Sequence, residues 1–439
     1  MEIPQSSLTD IYRIYLEHPR VVIDSRKAER GSLFFALRGN TDGNQYAAAA
    51  LDRGAAYAVV DNPAVITEGD GRYLLVADTL TTLQELAKRH RGDFRMPVLA
   101  ITGSNGKTTT KELVTAVMSR QYRVHATPGN YNNHIGLPLT VLSMPKGTEF
   151  LVLEMGANHV GEIAELCEIG RPTHGIITNI GDAHLEGFGG KAGVIKGKGE
   201  LYDFLRQTGG VAFVNTDEEH LPVMAESLKR IISYFTSEEP SPLVPGLEIK
   251  TLAIHPNVNV RFLAAGEPYS AQTHLSGRHN LQNIKTAIAV GKYFKVPGPE
   301  IAAALAEYQS ANHRSQWLTH RDVAFYWDAY NANPSSVMAA LDSFAITNPA
   351  GDSVVVLGEM LELGEGSEAA HRRVVLRAGQ VARTVLLLGS EMEPVARELG
   401  RPHFADVSSL ADWFWQQDWT GKKVFVKGSR GNKLEKLLA

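Results

Sequence analysis

"LAITGSNGKTTTKE" (residues 99–112) runs from an apolar stretch through two glycines to a lysine and three threonines. The run before it, "VLAIT", is apolar throughout, as in a buried strand, and "KTTTKELVTAV" after it has helical spacing. Strand, glycine turn and helix form the setting in which backbone N–H groups at a helix N-terminus cradle phosphate oxygens. The spacing is unusual. Counted back from Gly106, Lys107 and Thr108, the pattern G-x-x-x-x-G-K-[ST] needs a glycine at 101, where Ile101 stands, and the nearest glycine is Gly103. In such a shortened loop Gly103, Ser104, Asn105 and Gly106 would wrap the phosphates. Lys107 would add a point charge, and Thr108, followed by Thr109, a hydroxyl for Mg²⁺. An ordinary glycine turn opening a helix is the plain alternative, and the register of strand, loop and helix weighs against it. The loop indicates a nucleotide without saying what is done with it.

The rest of the chain sets bounds. Its 439 residues suit about three domains. With 44 Lys+Arg against 48 Asp+Glu it lacks the basic excess of a nucleic-acid or membrane-surface binder. "MEIPQSSLTDIYRIYLEHPR" has no basic stretch followed by an apolar core, and no apolar run approaches spanning length, so a cytoplasmic chain without membrane insertion is expected. Cys167, the one cysteine, sits among helix-spaced apolar residues and reads as a buried thiol.

Residues 1–95 alternate short apolar runs with helical patterns, as in a small α/β domain, and "RHRGDFRMP" (89–97) reads as a linker. Residues 96–312 repeat strand and helix patterns ("FLVLEMG", "GEIAELCEI", "GIITNI", "VAFVNTD"), which predicts a doubly wound, mostly parallel sheet covered on both faces. After a second linker, "QSANHRSQ", residues 313–439 carry a third set of βα patterns, including "SVVVLG" and "KKVFVKGSR", expected to be Rossmann-like. The fold class is therefore α/β in three domains, the central one P-loop ATPase-like. Two candidate metal ligands, Glu154 after "FLVL" and His184 after "GIITNI", lie past the carboxyl ends of predicted parallel strands, where such sheets gather ligands.

Together with "TGSNGKTT", six further stretches recur in order: "GNYNNHIGLPLT" (129–140), "EMGANHVGEIAELCEI" (154–169), "NIGDAHLEGFG" (179–189), "KGKGEL" (196–201), "DAYNANP" (328–334) and "VLGEMLELGE" (356–365). On these the chain resembles the Mur ligase superfamily in its MurF branch, over nearly its whole length. The resemblance implies an ATP-dependent amide ligase of peptidoglycan precursor synthesis. ATP would activate the carboxylate of UDP-N-acetylmuramoyl-tripeptide as an acyl phosphate, and D-alanyl-D-alanine would attack it. It implies two Mg²⁺ ions, one on Thr108 and Glu154 and one on His184. It also implies a CO₂-derived carbamate on Lys198, which immediately precedes "GE", leaving Lys196 as a solvated or phosphate-side charge. Arg314 would reach the ATP phosphates, although His313 stands where glycine is common, and a solvated linker charge is the other reading. Asn280 and Asn283 would face the adenine, and Asp328 the ribose, with Tyr330, Asn331 and Asn333 nearby. Ser25 and Arg26 would contact the UDP portion, and Asn130, Asn132 and Asn133 the peptidyl sugar nucleotide. His159 and His174 match no metal position and read as exposed or structural. A monomer is expected. The rivals are a folylpolyglutamate synthase, which "YNANP" and the UDP-type first domain oppose, and a P-loop ATPase or kinase that makes no amide.

Overall fold

A computed structural model describes residues 5–237, 247–309 and 316–439. Among these residues the strands form three sheets. The first holds β1 (Val21–Val22), β2 (Leu33–Phe35), β3 (Tyr57–Val60) and β4 (Tyr73–Leu75), parallel and adjacent in chain order. The Asp78 carboxylate then accepts from the Thr81 amide at 2.7 Å and starts the helix Thr79–Arg91. This helix packs against the helix Gly136–Leu142 of the second domain. The linker expected at 89–97 therefore begins later than its polarity suggests. His90 and Arg91 are helical and buried, and the Arg91 guanidinium donates to the carbonyls of Gly170 (3.0 Å) and Arg171 (3.3 Å).

The middle sheet contains β5 (Val98–Thr102), β6 (Val124–Ala126), β7 (Phe150–Glu154), β8 (His174–Ile177), β9 (Val211–Asn215), β10 (Ile231–Ser237), β11 (Leu247–Ala253), β12 (Asn259–Ala264) and β13 (Glu267–Gln272). Their order is β13-β12-β11-β10-β9-β8-β5-β7-β6, parallel from β6 to β11 and antiparallel from β11 to β13. Successive side chains of a strand point to opposite faces. Val98 and Ala100 accordingly join one core with the helices Glu162–Gly170 and Lys191–Thr208, while Leu99 and Ile101 join another with Lys107–Met118 and Arg278–Tyr293. Burial on both faces is why these strands read as unbroken apolar runs. From β5 the chain goes first to β7 and β6 on one side, then to β8 and β9 on the other, so a crevice opens at the carboxyl end of β5.

The third sheet has β14 (Gln316–His320), β15 (Val323–Asp328), β16 (Ser353–Gly358), β17 (Thr384–Leu388), β18 (His403–Phe404) and β19 (Lys423–Lys427) in the order β14-β15-β19-β16-β17-β18, with β14 antiparallel to its neighbour. No helix among the described residues is long and apolar enough to cross a membrane.

Candidate active site

The loop after β5 is bent where glycine is required. Gly103 has φ +133°, and a Cβ there would lie 2.0 Å from the Thr178 Oγ1; Gly106 has φ +78° and presses on Asn283 in the same way, at 2.5 Å. The end of β8 holds the turn: Thr178 Oγ1 and Asn179 Nδ2 donate to the Asn105 carbonyl (2.6 and 3.0 Å), and the Asn105 amide donates to Asn179 Oδ1 at 3.0 Å. Ser104 Oγ donates to the Gly181 carbonyl at 3.1 Å. The Lys107 ammonium curls back over the loop onto the carbonyls of Gly103 (2.7 Å) and Ser104 (3.1 Å). Thr108 and Thr109, at the start of the helix Lys107–Met118, line the same cleft.

Glu154, the last residue of β7, is buried beside the loop. Its Oε1 accepts from Thr108 Oγ1 (3.0 Å) and Asn132 Nδ2 (2.8 Å), and the Lys111 ammonium lies 3.4 Å from its Oε2. That Oε2 accepts no hydrogen bond among the described residues. A hydroxyl and a carboxylate with an open buried oxygen, next to a phosphate loop, fit Mg²⁺, which takes few protein ligands and completes its shell from phosphate oxygens and water. No group of three or more His, Cys, Asp or Glu converges among the described residues, so the arrangement is not an all-protein metal cage. Asn130 and Asn133 line the cleft beside Asn132, and Asn133 also caps the next helix through the amides of Ile135 and Gly136.

His184 lines the third side, with Lys198 buried behind the wall there. His184 adopts the left-handed conformation (φ +55°), lines the cleft, and has its Nδ1 on the carboxylate of Glu362 from the third domain. Burial lowers its basicity, as do the ammoniums of Lys107 and Lys198, while Glu362 raises it; the net direction is down. Lys198 and Lys196 share the helix Lys191–Thr208 but face opposite ways: Lys196 is exposed, whereas Lys198 is 1 % exposed. The Lys198 ammonium donates to the Ala157 carbonyl (3.0 Å) and lies 4.9 Å from the centre of the Phe188 ring, just behind the cleft wall. Burial above all, and then Lys107, hold the Lys198 amine well below the usual lysine range.

The remaining wall joins two domains. Asn280 and Asn283, near the start of the helix Arg278–Tyr293, are buried and bonded to each other at 3.2 Å, and Asn283 accepts from Thr110 at 3.1 Å. Across from them Asp328, at the end of β15, accepts from the buried Lys427 at 2.6 Å; Tyr330 and Asn331 follow it into the cleft. Asn105 bridges the domains, accepting from Asn333 Nδ2 (2.7 Å) and donating to Ser335 Oγ (3.1 Å). The cleft encloses about 740 Å³, ample for a nucleotide and a second substrate.

Three predicted residues stand apart. Ser25 and Arg26 lie on a short turn of the first domain and do not line this cleft; the Arg26 guanidinium forms a two-pronged pair with Asp24 (2.9 and 2.8 Å). Arg314 falls outside the described residues. His159 is exposed and pairs with Glu162, and His174 is buried among Phe213, Tyr293 and Phe294.

Three family models match the chain: "Mur ligase family, catalytic domain" over residues 20–91, "Mur ligase middle domain" over 101–291, and "Mur ligase, glutamate ligase domain" over 313–430. The UDP-N-acetylmuramoyl-tripeptide–D-alanyl-D-alanine ligase of Bacillus subtilis (strain 168) is 33% identical over 429 residues, covering 95% of this chain and 92% of the relative. The ligase of the same name from Escherichia coli (strain K12) is 33% identical over 458 residues, covering 99% and 97%. The chain belongs to the Mur ligase family, in its MurF branch. Solved MurF structures share its architecture. MurF from Acinetobacter baumannii matches with a TM-score of 0.84 and 29% identity over 99% of this chain and 94% of that one. MurF from Thermotoga maritima, solved in complex with ADP, matches with a TM-score of 0.82 and 27% identity over 96% and 97%.

Several residues of this Mur ligase cleft escaped the sequence reading. Lys111 follows Thr108 by one helical turn, so its approach to Glu154 was readable from spacing. Lys427 ends β19, in register beside Asp328 at the end of β15, which only the sheet order reveals. Thr178 and Ser335 act through contacts remote in sequence, and although Glu362 stands inside "VLGEMLELGE", nothing in that stretch points to its contact with His184.

Proposed function

We propose that this Mur ligase joins D-alanyl-D-alanine to UDP-N-acetylmuramoyl-tripeptide in the cytoplasm, consuming ATP and releasing ADP and phosphate. The observation that carries this reading is the two-domain cleft, in which a phosphate loop, a buried acid and the "DAYNANP" segment converge within one chain of MurF type. The tripeptide carboxylate attacks the γ-phosphorus, displaces ADP and becomes an acyl phosphate. The dipeptide amine then attacks the acyl carbon, losing a proton as phosphate departs.

The residues have separable tasks. Lys107 and the loop amides hold the phosphates and stabilise the charge that spreads over the transferring group. Asn280 and Asn283 set the base, and Asp328 takes the ribose hydroxyls, oriented by Lys427. Thr108 and Glu154 would hold one Mg²⁺ and His184 a second; bound there, the ions neutralise the oxygens of the γ-phosphate and the carboxylate. Burial disfavours the charged form of the Lys198 amine, and a carbamate formed there from CO₂, with release of a proton, would supply the anionic oxygens that a metal beside His184 needs. Ser25 and Arg26 receive the UDP moiety, Asn130, Asn132 and Asn133 the peptidyl sugar, and Arg314 the ATP phosphates. We propose a monomer, a reading in keeping with a cleft whose lining residues all lie on one chain.

Phosphate release measured with every combination of substrates tests the reading. Turnover is expected only with ATP, tripeptide nucleotide and dipeptide together, because closure of the cleft needs all three. Parallel runs with diaminopimelate and with lysine as the third residue identify the tripeptide. Full-rate release with ATP and Mg²⁺ alone would contradict an amide ligase.

A further inference from the structure

The segment "VLGEMLELGE" (356–365) helps to mark the family, yet the reaction above gives it no task. In the fold it leaves β16 and crosses towards the middle domain. Its backbone is pinned from several sides. The Glu359 amide donates to Asn432 Oδ1 (3.0 Å), the Met360 amide to His371 Nε2 (2.8 Å), and the Leu361 amide to Ser429 Oγ (3.1 Å), while Met360 and Leu363 are buried. Between these anchors Glu362 takes φ +65°, and its carboxylate meets His184 Nδ1. His184 itself has φ +55°, and the Glu186 amide donates to the Glu362 carbonyl at 3.4 Å. Two non-glycine residues from different domains thus both hold the left-handed conformation, which is strained for a residue with a side chain, where they touch. Such outliers persist where the surrounding structure enforces them, and they gather at functional sites. An ordinary surface ion pair needs neither the strain nor the anchored loop.

We propose that Glu362 is a positioning residue for the metal site: by accepting the Nδ1 proton of His184 it leaves Nε2 unprotonated and aimed as a ligand. A metal-binding histidine commonly donates its other ring N–H to a carboxylate, which fixes tautomer and ring orientation. Here the carboxylate comes from another domain, so the affinity of the His184 site depends on where the third domain sits. A second contact tethers the same loop independently, because Arg373 of the third domain pairs with Asp182 at 3.4 Å without touching His184. The inference rests on the reading of His184 as a metal ligand, and the test separates the two.

Mn²⁺ binding to the full-length protein, followed by electron paramagnetic resonance with β,γ-methylene ATP present, reports each ion without turnover. Wild type should bind two ions, and His184→Ala should lose one. Glu362→Ala should weaken that same ion about 10–100-fold, the usual effect of removing such a supporting carboxylate, with the other ion and the nucleotide bound as before. Glu362→Gln, whose amide oxygen still accepts from Nδ1, should recover most of the affinity. Arg373→Ala should leave both ions as in wild type. If His184→Ala retains both ions, the metal reading fails and the inference with it. If His184→Ala loses one ion but Glu362→Ala binds both normally, the inference alone fails. It also fails if Arg373→Ala weakens the ion as much as Glu362→Ala, because domain closure alone would then account for the effect. Glu362 is more than half exposed, so its variants should fold, and unchanged thermal unfolding checks that.

Discussion

The loop Gly103–Thr108, expected to hold ATP phosphates, and the turn with Ser25 and Arg26, expected to contact the UDP portion, are built on opposite plans. The loop is clamped before any ligand arrives: Thr178, Asn179, Asn333 and Ser335 hold Asn105 from two domains. The turn projects from the first domain, and its arginine, with a side chain 82% exposed, is occupied by its neighbour Asp24. That pairing is strong enough to pull the Asp24 carboxyl down to about 2, chiefly through the hydrogen bonds from Arg26. A preorganised loop stabilises charge as it develops without rearranging. An arginine already engaged must exchange or share its partner, and so gives less net affinity. The difference is what the proposed roles require: chemistry at the first region, substrate capture at the second.

Four substitutions can break or sharpen that contrast. The largest effect should come from Lys107→Ala, which removes a cation from the clamped loop. The loss should be several kcal/mol of transition-state stabilisation, on the order of a thousandfold or more in kcat, with an unchanged unfolding midpoint. A variant keeping a tenth of wild-type turnover would place Lys107 outside the chemistry. Next comes Lys198→Ala, expected to lose about a hundredfold in rate and to regain part of it with added formate or acetate in the carbamate's place. Lys196→Ala, on the exposed side of the same helix, should stay near wild type and gain nothing from either acid. Reversal of the two phenotypes would sink the assignment. The smallest effect belongs to Arg26→Ala, for which KM for the sugar nucleotide should rise about tenfold while kcat and KM for ATP hold. A fall in kcat instead would mean that the turn is not merely a capture site.

Legibility in the sequence followed locality. The buried strands β5, β7, β8 and β9 stand out because both faces are covered and every position can be apolar. The 216–277 stretch carries no such mark. In β12 buried residues alternate with exposed ones, and β13 is largely exposed, so the antiparallel end of the middle sheet went unread. At the site the same rule held. Thr108, Glu154, Asn280 and Asn283 sit at fixed offsets from strand ends and helix starts. The split between Lys196 and Lys198 follows from helical geometry, two residues being about 200° of rotation. Ser335 and Lys427 reach the cleft, and Glu362 reaches His184, only through the packing of one domain on another or the order of a sheet, and neither is written in local spacing.

The contact of Asn105 with Asn333 and Ser335 also sets the field inside the cleft. Asn333 caps the helix Pro334–Thr347, while Asn105 immediately precedes Gly106, the cap of the helix Lys107–Met118. Two helix N-termini from different domains therefore converge on one space, each equivalent to about half a positive charge. Like ends repel, and the Lys107 ammonium adds to the positive field of the cleft. A polyanion entering that space reverses the sign of the interaction between the domains. Such an anion would be held by helix starts from both domains at once.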